Sequence, residues 1–236
     1  MKKITLFIFA ISFVFSANAQ FSRYLEKGKS GIGINALAET SGSGKEYNSI
    51  GAEVGYTYKG KIDLSGIIFA DSYDEKALGL SSDKATSKYY EVVLNYWLFR
   101  EQIIPEIGVN VGLYVGHAGA SYDGYKYLDL EDGDIAEYTS YSEGFIGVNT
   151  AINFKLTESW YLESSLKVRY EKGSEKTFDN NITKTDDFDG VTQEIGLTLF
   201  KRLNKGNTFT VGTRLFSDSY EGSNFYRVSV GYIFVL

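Results

Sequence analysis

The stretch Leu162-Glu163-Ser164-Ser165-Leu166-Lys167-Val168-Arg169-Tyr170 alternates in character from residue to residue. Leu162, Leu166, Val168 and Tyr170 share one parity, and Glu163, Lys167 and Arg169 share the other. A β-strand turns successive side chains to opposite faces, so a strand here has one apolar and one charged face. Nine further segments read alike: residues 31–39, 50–58, 62–70, 90–98, 107–115, 144–154, 191–199, 209–217 and 226–236. The ten together hold ten charges: Glu39, Glu53, Asp63, Glu91, Glu163, Lys167, Arg169, Glu194, Arg214 and Arg227. Every one lies opposite the apolar series, an outcome that random placement gives about once in a thousand. A sheet with one charge-free face over so many strands meets hydrocarbon there, not water. The expected fold is all-β: a transmembrane antiparallel up-and-down β-barrel of ten strands.

The N-terminus reads as a cleavable leader at residues 1–19. Lys2 and Lys3 form its basic end, residues 4–15 its apolar stretch, and Ala17-Asn18-Ala19 a cleavage site before Gln20. The remainder, residues 20–236, suits a single barrel domain. Charged residues make up 23% of the chain, too many for a helical membrane protein but compatible with a barrel, whose lumen and loops are polar. With 24 basic and 30 acidic residues the chain is acidic, which argues against nucleic acid as a partner. The absence of cysteine excludes disulfides and thiol chemistry.

Connections between the segments alternate in length. Residues 40–49, 71–89, 116–143, 171–190 and 218–225 read as longer loops, and 59–61, 100–106, 156–161 and 200–208 as short turns. Outer-membrane barrels put short turns in the periplasm and longer loops outside, which places both termini in the periplasm. Apolar-parity aromatics collect at the segment ends. Tyr56, Tyr58, Tyr96, Phe154, Trp160, Phe209, Tyr232 and Phe234 stand at the periplasmic side, and Tyr90, Tyr170 and Tyr226 at the other. Val54, Leu94, Val111, Val148, Leu166, Leu197 and Val230 lie between them, so two aromatic girdles flank an aliphatic belt.

In these features the chain resembles the small outer-membrane β-barrel proteins of Gram-negative bacteria. The leader ending Ala17-Asn18-Ala19-Gln20 is like those of Bacteroidota, whose porin-like barrel domains it resembles. The last stretch, from Phe225 to Leu236, is similar to the C-terminal signal read by the barrel-assembly machinery. It departs from that signal in ending on Leu236, with Phe234 two residues earlier. The resemblance implies an outer-membrane location, with lipid, lipopolysaccharide and the assembly machinery as partners. It leaves the role open.

The charged parity nominates a lumen ion-pair network of Glu53, Lys167, Glu194 and Arg214, with Glu39 and Arg227 on the strands that close the barrel. Counting along the strands sets Glu194 between Lys167 and Arg214 at mid-depth. Such a network either fills a narrow lumen, since buried charges need partners, or forms the constriction of a small-solute channel. Open aqueous channels use many more strands, so the filled lumen is the leading expectation. A structural or surface-interaction role follows, with the small-solute porin as the alternative; a soluble periplasmic carrier and an outer-membrane protease or lipid A hydrolase rank lower.

No catalytic constellation is expected. His117 is the sole histidine, points to the apolar side, and has only Ser121, Tyr122 and Asp123 as nominal local partners. No cofactor and no defined metal site is expected either. Asp129-Leu130-Glu131-Asp132-Gly133-Asp134 is acidic but has Leu128 where an EF-hand needs an acid, and residues 171–190 add Glu175, Asp179, Asp186, Asp187 and Asp189. These loops are candidates for divalent cations that bridge to lipopolysaccharide. Ser41-Gly42-Ser43-Gly44-Lys45 lacks the rest of a phosphate-binding loop.

Overall fold

The computed structural model describes residues 25, 28–41, 47–74, 84–124, 126–128, 135–179, 182–218 and 224–236. The leader, the Asp129–Asp134 run and residues 42–46 lie outside the described residues. The chain forms β1 (Gly31–Ser41), β2 (Tyr47–Tyr58), β3 (Ile62–Asp74), β4 (Lys84–Ile104), β5 (Ile107–Asp123), β6 (Lys126–Leu128), β7 (Ile135–Lys155), β8 (Trp160–Asp179), β9 (Ile182–Arg202), β10 (Thr208–Asp218) and β11 (Asn224–Val235). All pairs are antiparallel, and each long strand pairs with the next in sequence. β5 pairs with β7, while the three-residue β6 only extends β7 from the side. β1 and β11 pair from Gly31↔Val235 to Ser41↔Phe225 and close the sheet on itself. The fold is a closed ten-stranded up-and-down β-barrel. Closure leaves no open edge at the seam, the condition for placing a sheet in lipid.

The alternation sorts as the pattern requires. Ile34, Val54, Leu64, Leu94, Val115, Val148, Leu166, Val211 and Val230 are exposed on the outside. Their neighbours in sequence, among them Asn35, Glu53, Asp63, Asn95, Asn149, Lys167, Thr210 and Ser229, are buried within. A register shift in β4 between Trp97 and Phe99 leaves both Leu98 and Phe99 exposed, so the alternation is interrupted there. Interior glycines make room for large rings: a methyl group at Gly147 would collide with the ring of Tyr114. The turn between β2 and β3 is tight because Lys59 and Gly60 both take positive φ, 48° and 60°, the two-residue geometry that suits a hairpin.

Strand ends depart from the sequence reading. Much of residues 71–89, 116–143 and 171–190, expected as loops, is strand, and β4 runs through residues 100–104. β7, β8 and β9 each extend to 20 or 21 residues. Backbone pairing continues there although the apolar alternation has ended. Among the described residues β1, β10 and β11 span 11 or 12 residues.

Candidate functional site

The lumen is filled in three tiers. At the end near the short turns, Asp63 accepts hydrogen bonds from Thr57 Oγ1 (2.6 Å) and Trp97 Nε1 (2.8 Å). Leu25, ahead of β1, is wholly buried and packs with Phe200 and Ile233. Arg100 holds it there by donating to the carbonyl oxygens of Leu25 (3.0 Å) and Gly60. Tyr161 stacks on Phe200 at 4.9 Å, and the Arg202 guanidinium lies 4.6 Å from the Tyr161 ring centre. A cavity of about 420 Å³ opens beside this group.

The middle tier holds the residues nominated from sequence. Lys167 and Glu194 face each other across β8 and β9, with Nζ 3.6 Å from Oε1. Arg214 lies 3.8 Å from Glu53, which also accepts a hydrogen bond from Asn35 Nδ2 at 2.9 Å. Glu39 and Arg227 meet at 2.6 Å, with the guanidinium 4.5 Å from the ring centres of both Phe69 and Phe216. Arg214 stands in register with Gly196, two residues along from Glu194, and the residue directly opposite Glu194 on β10 is Phe216. Lys167 and Arg214 both act electrostatically on Glu194, and Arg214 also reaches across the lumen to Glu53.

The densest cluster was not nominated. Arg169 binds three carboxylates: Glu171 at 2.7 Å, Glu143 at 3.2 Å and Glu91 at 3.3 Å. Its guanidinium also covers the Phe145 ring at 4.6 Å. Tyr89 donates to Glu91 at 2.8 Å and Thr192 to Glu171 at 2.6 Å, which holds both acids in place. Glu91 and Arg169 carried the inward parity in the sequence, but Glu143 and Glu171 fell in stretches read as loops. Continuing the strand parity by one step, from Phe145 to Glu143 and from Arg169 to Glu171, would have found them.

Between the middle tier and the Arg169 cluster the free space among Glu91, Val93, Tyr114, Lys167, Arg169, Thr192, Glu194 and Phe216 is about 10 Å³. That is about the least volume that holds one water molecule. Above the cluster the barrel opens into a cavity of about 1050 Å³ whose lining includes Phe69, Tyr89, Ala120 and Tyr141. Aromatic rings from β3, β4 and β7 run along it, with centres 6.1 Å apart for Phe69–Tyr89 and 6.4 Å for Tyr89–Tyr141, and Tyr141 in turn lies 6.3 Å from the Phe188 ring of β9.

His117 is exposed on the outer face of β5, where its Nε2 lies 3.3 Å from the Tyr90 hydroxyl. Ser121 is four residues further along the same strand, about 13 Å away at strand rise, so the two do not form a nucleophile–base pair. Among the described residues no group of three or more His, Asp or Glu is gathered to hold a metal ion.

The structures that this one resembles are outer-membrane β-barrels of Gram-negative bacteria. The translocator domain of the autotransporter NalP from Neisseria meningitidis matches with a TM-score of 0.50 and 10% identity, over 99% of this chain and 96% of that one. An outer membrane channel from Pseudomonas putida F1 matches with a TM-score of 0.50 and 11% identity, over 94% and 100% of the two chains. The outer membrane protease OmpT from Escherichia coli gives a TM-score of 0.44 and 11% identity, over 88% and 96%. At such identities the likeness is one of fold. No protein-family model matches the sequence, and no curated protein matches it.

Proposed function

We propose that the chain is an integral outer-membrane barrel with periplasmic termini and a closed lumen, which acts structurally or by contact at the cell surface and catalyses no reaction. The observation that supports closure is the mid-depth void of about 10 Å³, ringed by paired charges and aromatic rings. Ions crossing it would have to part Lys167 from Glu194 or Arg169 from its three carboxylates, and breaking buried pairs is costly. Lipopolysaccharide and the assembly machinery are the partners this reading implies, with divalent cations as bridges at outer acids such as Asp186 and Asp187.

The channel reading draws support from the cavities of about 1050 and 420 Å³ that lie on either side of the plug. Planar-bilayer recording of the purified protein distinguishes the two. A closed barrel gives no steady conductance, and Glu194→Gln changes its stability more than its ion flow. A stable open channel whose cation–anion preference follows Glu194 would place the protein in the transport class.

A further inference from the structure

At the mouth near the short turns, polar groups from three strands line one cavity without partners of their own. Arg202, at the end of β9, is half-buried. Its Nη1 lies 3.5 Å from the Tyr161 hydroxyl, its guanidinium 4.6 Å from the Tyr161 ring centre, and its Nε has no hydrogen-bond partner. Among the described residues it has no carboxylate partner. Lys167, Arg169, Arg214 and Arg227, higher in the lumen, each reach a carboxylate within 4 Å. Taking a guanidinium out of water without an acid is costly, and a carboxylate that matches its planar fork offsets that cost.

The neighbours of Arg202 extend the pattern. Asn110 on β5 is 5% exposed, and its Nδ2 is buried with no hydrogen-bond partner. Asn153 on β7 leaves its Oδ1 in the same condition. All three side chains line the cavity of about 420 Å³. Buried polar atoms are nearly always paired, so three unmet ones on one cavity have a common cause. Water filling the cavity satisfies hydrogen bonds but supplies no charge. The volume falls within the range of small-molecule pockets, about 300–1,000 Å³. Among the described residues the lining sets Arg100, Lys155 and Arg202 against Glu101 and Glu106, which leaves one positive charge over. That balance suits a single negative charge. Leu25, Tyr161 and Phe200 supply an apolar wall.

We propose that this mouth binds a small monocarboxylate with an amide N–H beside the acid and an apolar side chain, the chemistry of an N-acylated amino acid. Arg202 Nε and Asn110 Nδ2 donate to the carboxylate, and Asn153 Oδ1 accepts from the N–H. The apolar side chain packs against Leu25, Tyr161 and Phe200. The site goes beyond the closed-lumen reading, since it is entered from the side of the short turns and requires no passage through the plug.

The test titrates the folded protein in detergent micelles with N-acetylleucine and, in parallel, with the neutral N-acetylleucinamide, followed by calorimetry. The acid binds at least about tenfold tighter than the amide. Arg202→Gln weakens binding of the acid at least about tenfold and Asn153→Leu about threefold, while both variants keep the heat-modifiable gel mobility of the folded barrel. A second measurement is made on the wild-type protein with isotope-labelled arginine. The Nε–H signal that disappears in Arg202→Lys shifts as N-acetylleucine is added and stays in place with N-acetylleucinamide. Equal affinity for acid and amide, or binding unchanged by Arg202→Gln, would overturn the proposal. So would an Arg202 signal that does not move when the acid saturates. The same shift with chloride at equal concentration would overturn the carboxylate assignment and leave a general anion site.

Discussion

The hairpin of β8 and β9 is one continuous pair of strands in two environments. In its lower half, residues 162–170 and 191–199, Glu163, Lys167 and Glu194 are buried in the lumen while Leu166, Val168 and Val191 are exposed outside. In its upper half the backbone register runs on without a break to Asp179↔Ile182. There Lys172 and Lys176 occupy the parity that Leu166 and Val168 hold below, with Asp187 and Asp189 beside them on β9. Pairing is a property of the backbone, whereas the apolar–charged alternation is a property of what lies on each side of the sheet. The strand outlasts its pattern, and the place where the two part company, just above Tyr170 and Val191, marks where hydrocarbon ends.

The largest effect is expected in the lower half, at its densest knot. Arg169→Met would leave Glu91, Glu143 and Glu171 together without their shared cation. Removing one partner from a buried ion pair costs about 3–5 kcal/mol, and this variant should fall at the upper end in urea unfolding from micelles. Adding Glu143→Gln to Arg169→Met should recover part of the loss, because it removes one of the repelling charges. A single variant as stable as wild type would mean that water, not Arg169, compensates the carboxylates.

Next comes the outward face of the same half. Leu166→Arg places a cation in the aliphatic belt and should cost about 2–4 kcal/mol in lipid, whereas Ser165→Arg on the lumen parity should be milder. Folding yields of the two variants in liposomes check the difference. Equal losses would show that the two faces of β8 meet similar surroundings.

How much was legible in the sequence follows from the same contrast. Every strand of the barrel could be found from Leu162 to Tyr170 outward, because lipid on one face and a polar lumen on the other impose period two on a spanning strand. The pairs Lys167–Glu194 and Glu39–Arg227 could be placed because strand neighbours were fixed by chain order. The Arg214–Glu53 contact crosses the lumen, so no register count could measure it. The strand extensions were not legible, since Lys172, Lys176, Asp187 and Asp189 carry loop-like composition on a strand face that meets water. The burial of Leu25 was not legible either. It lies ahead of the first strand, and only the closed mouth formed by Phe200, Ile233 and Arg100 gives it a place.

The smallest effect sharpens the comparison most, because its sign should change. Ser174 lies eight residues above Leu166 on the same strand and the same parity, opposite Ser142 on β7 and Asp187 on β9. Ser174→Arg introduces the same charge as Leu166→Arg, on the same face, above the level where the apolar pattern stops. With water outside there is no hydrocarbon to exclude it, and Asp187 becomes a cross-strand partner of opposite charge. A pair of this kind is worth about 0.2–1 kcal/mol, so the variant should be neutral or slightly more stable than wild type. That gain should fade as salt is raised, since exposed pairs are screened over about 10 Å at 0.1 M. A loss at Ser174 of the size expected at Leu166 would put the upper half of the hairpin inside the bilayer.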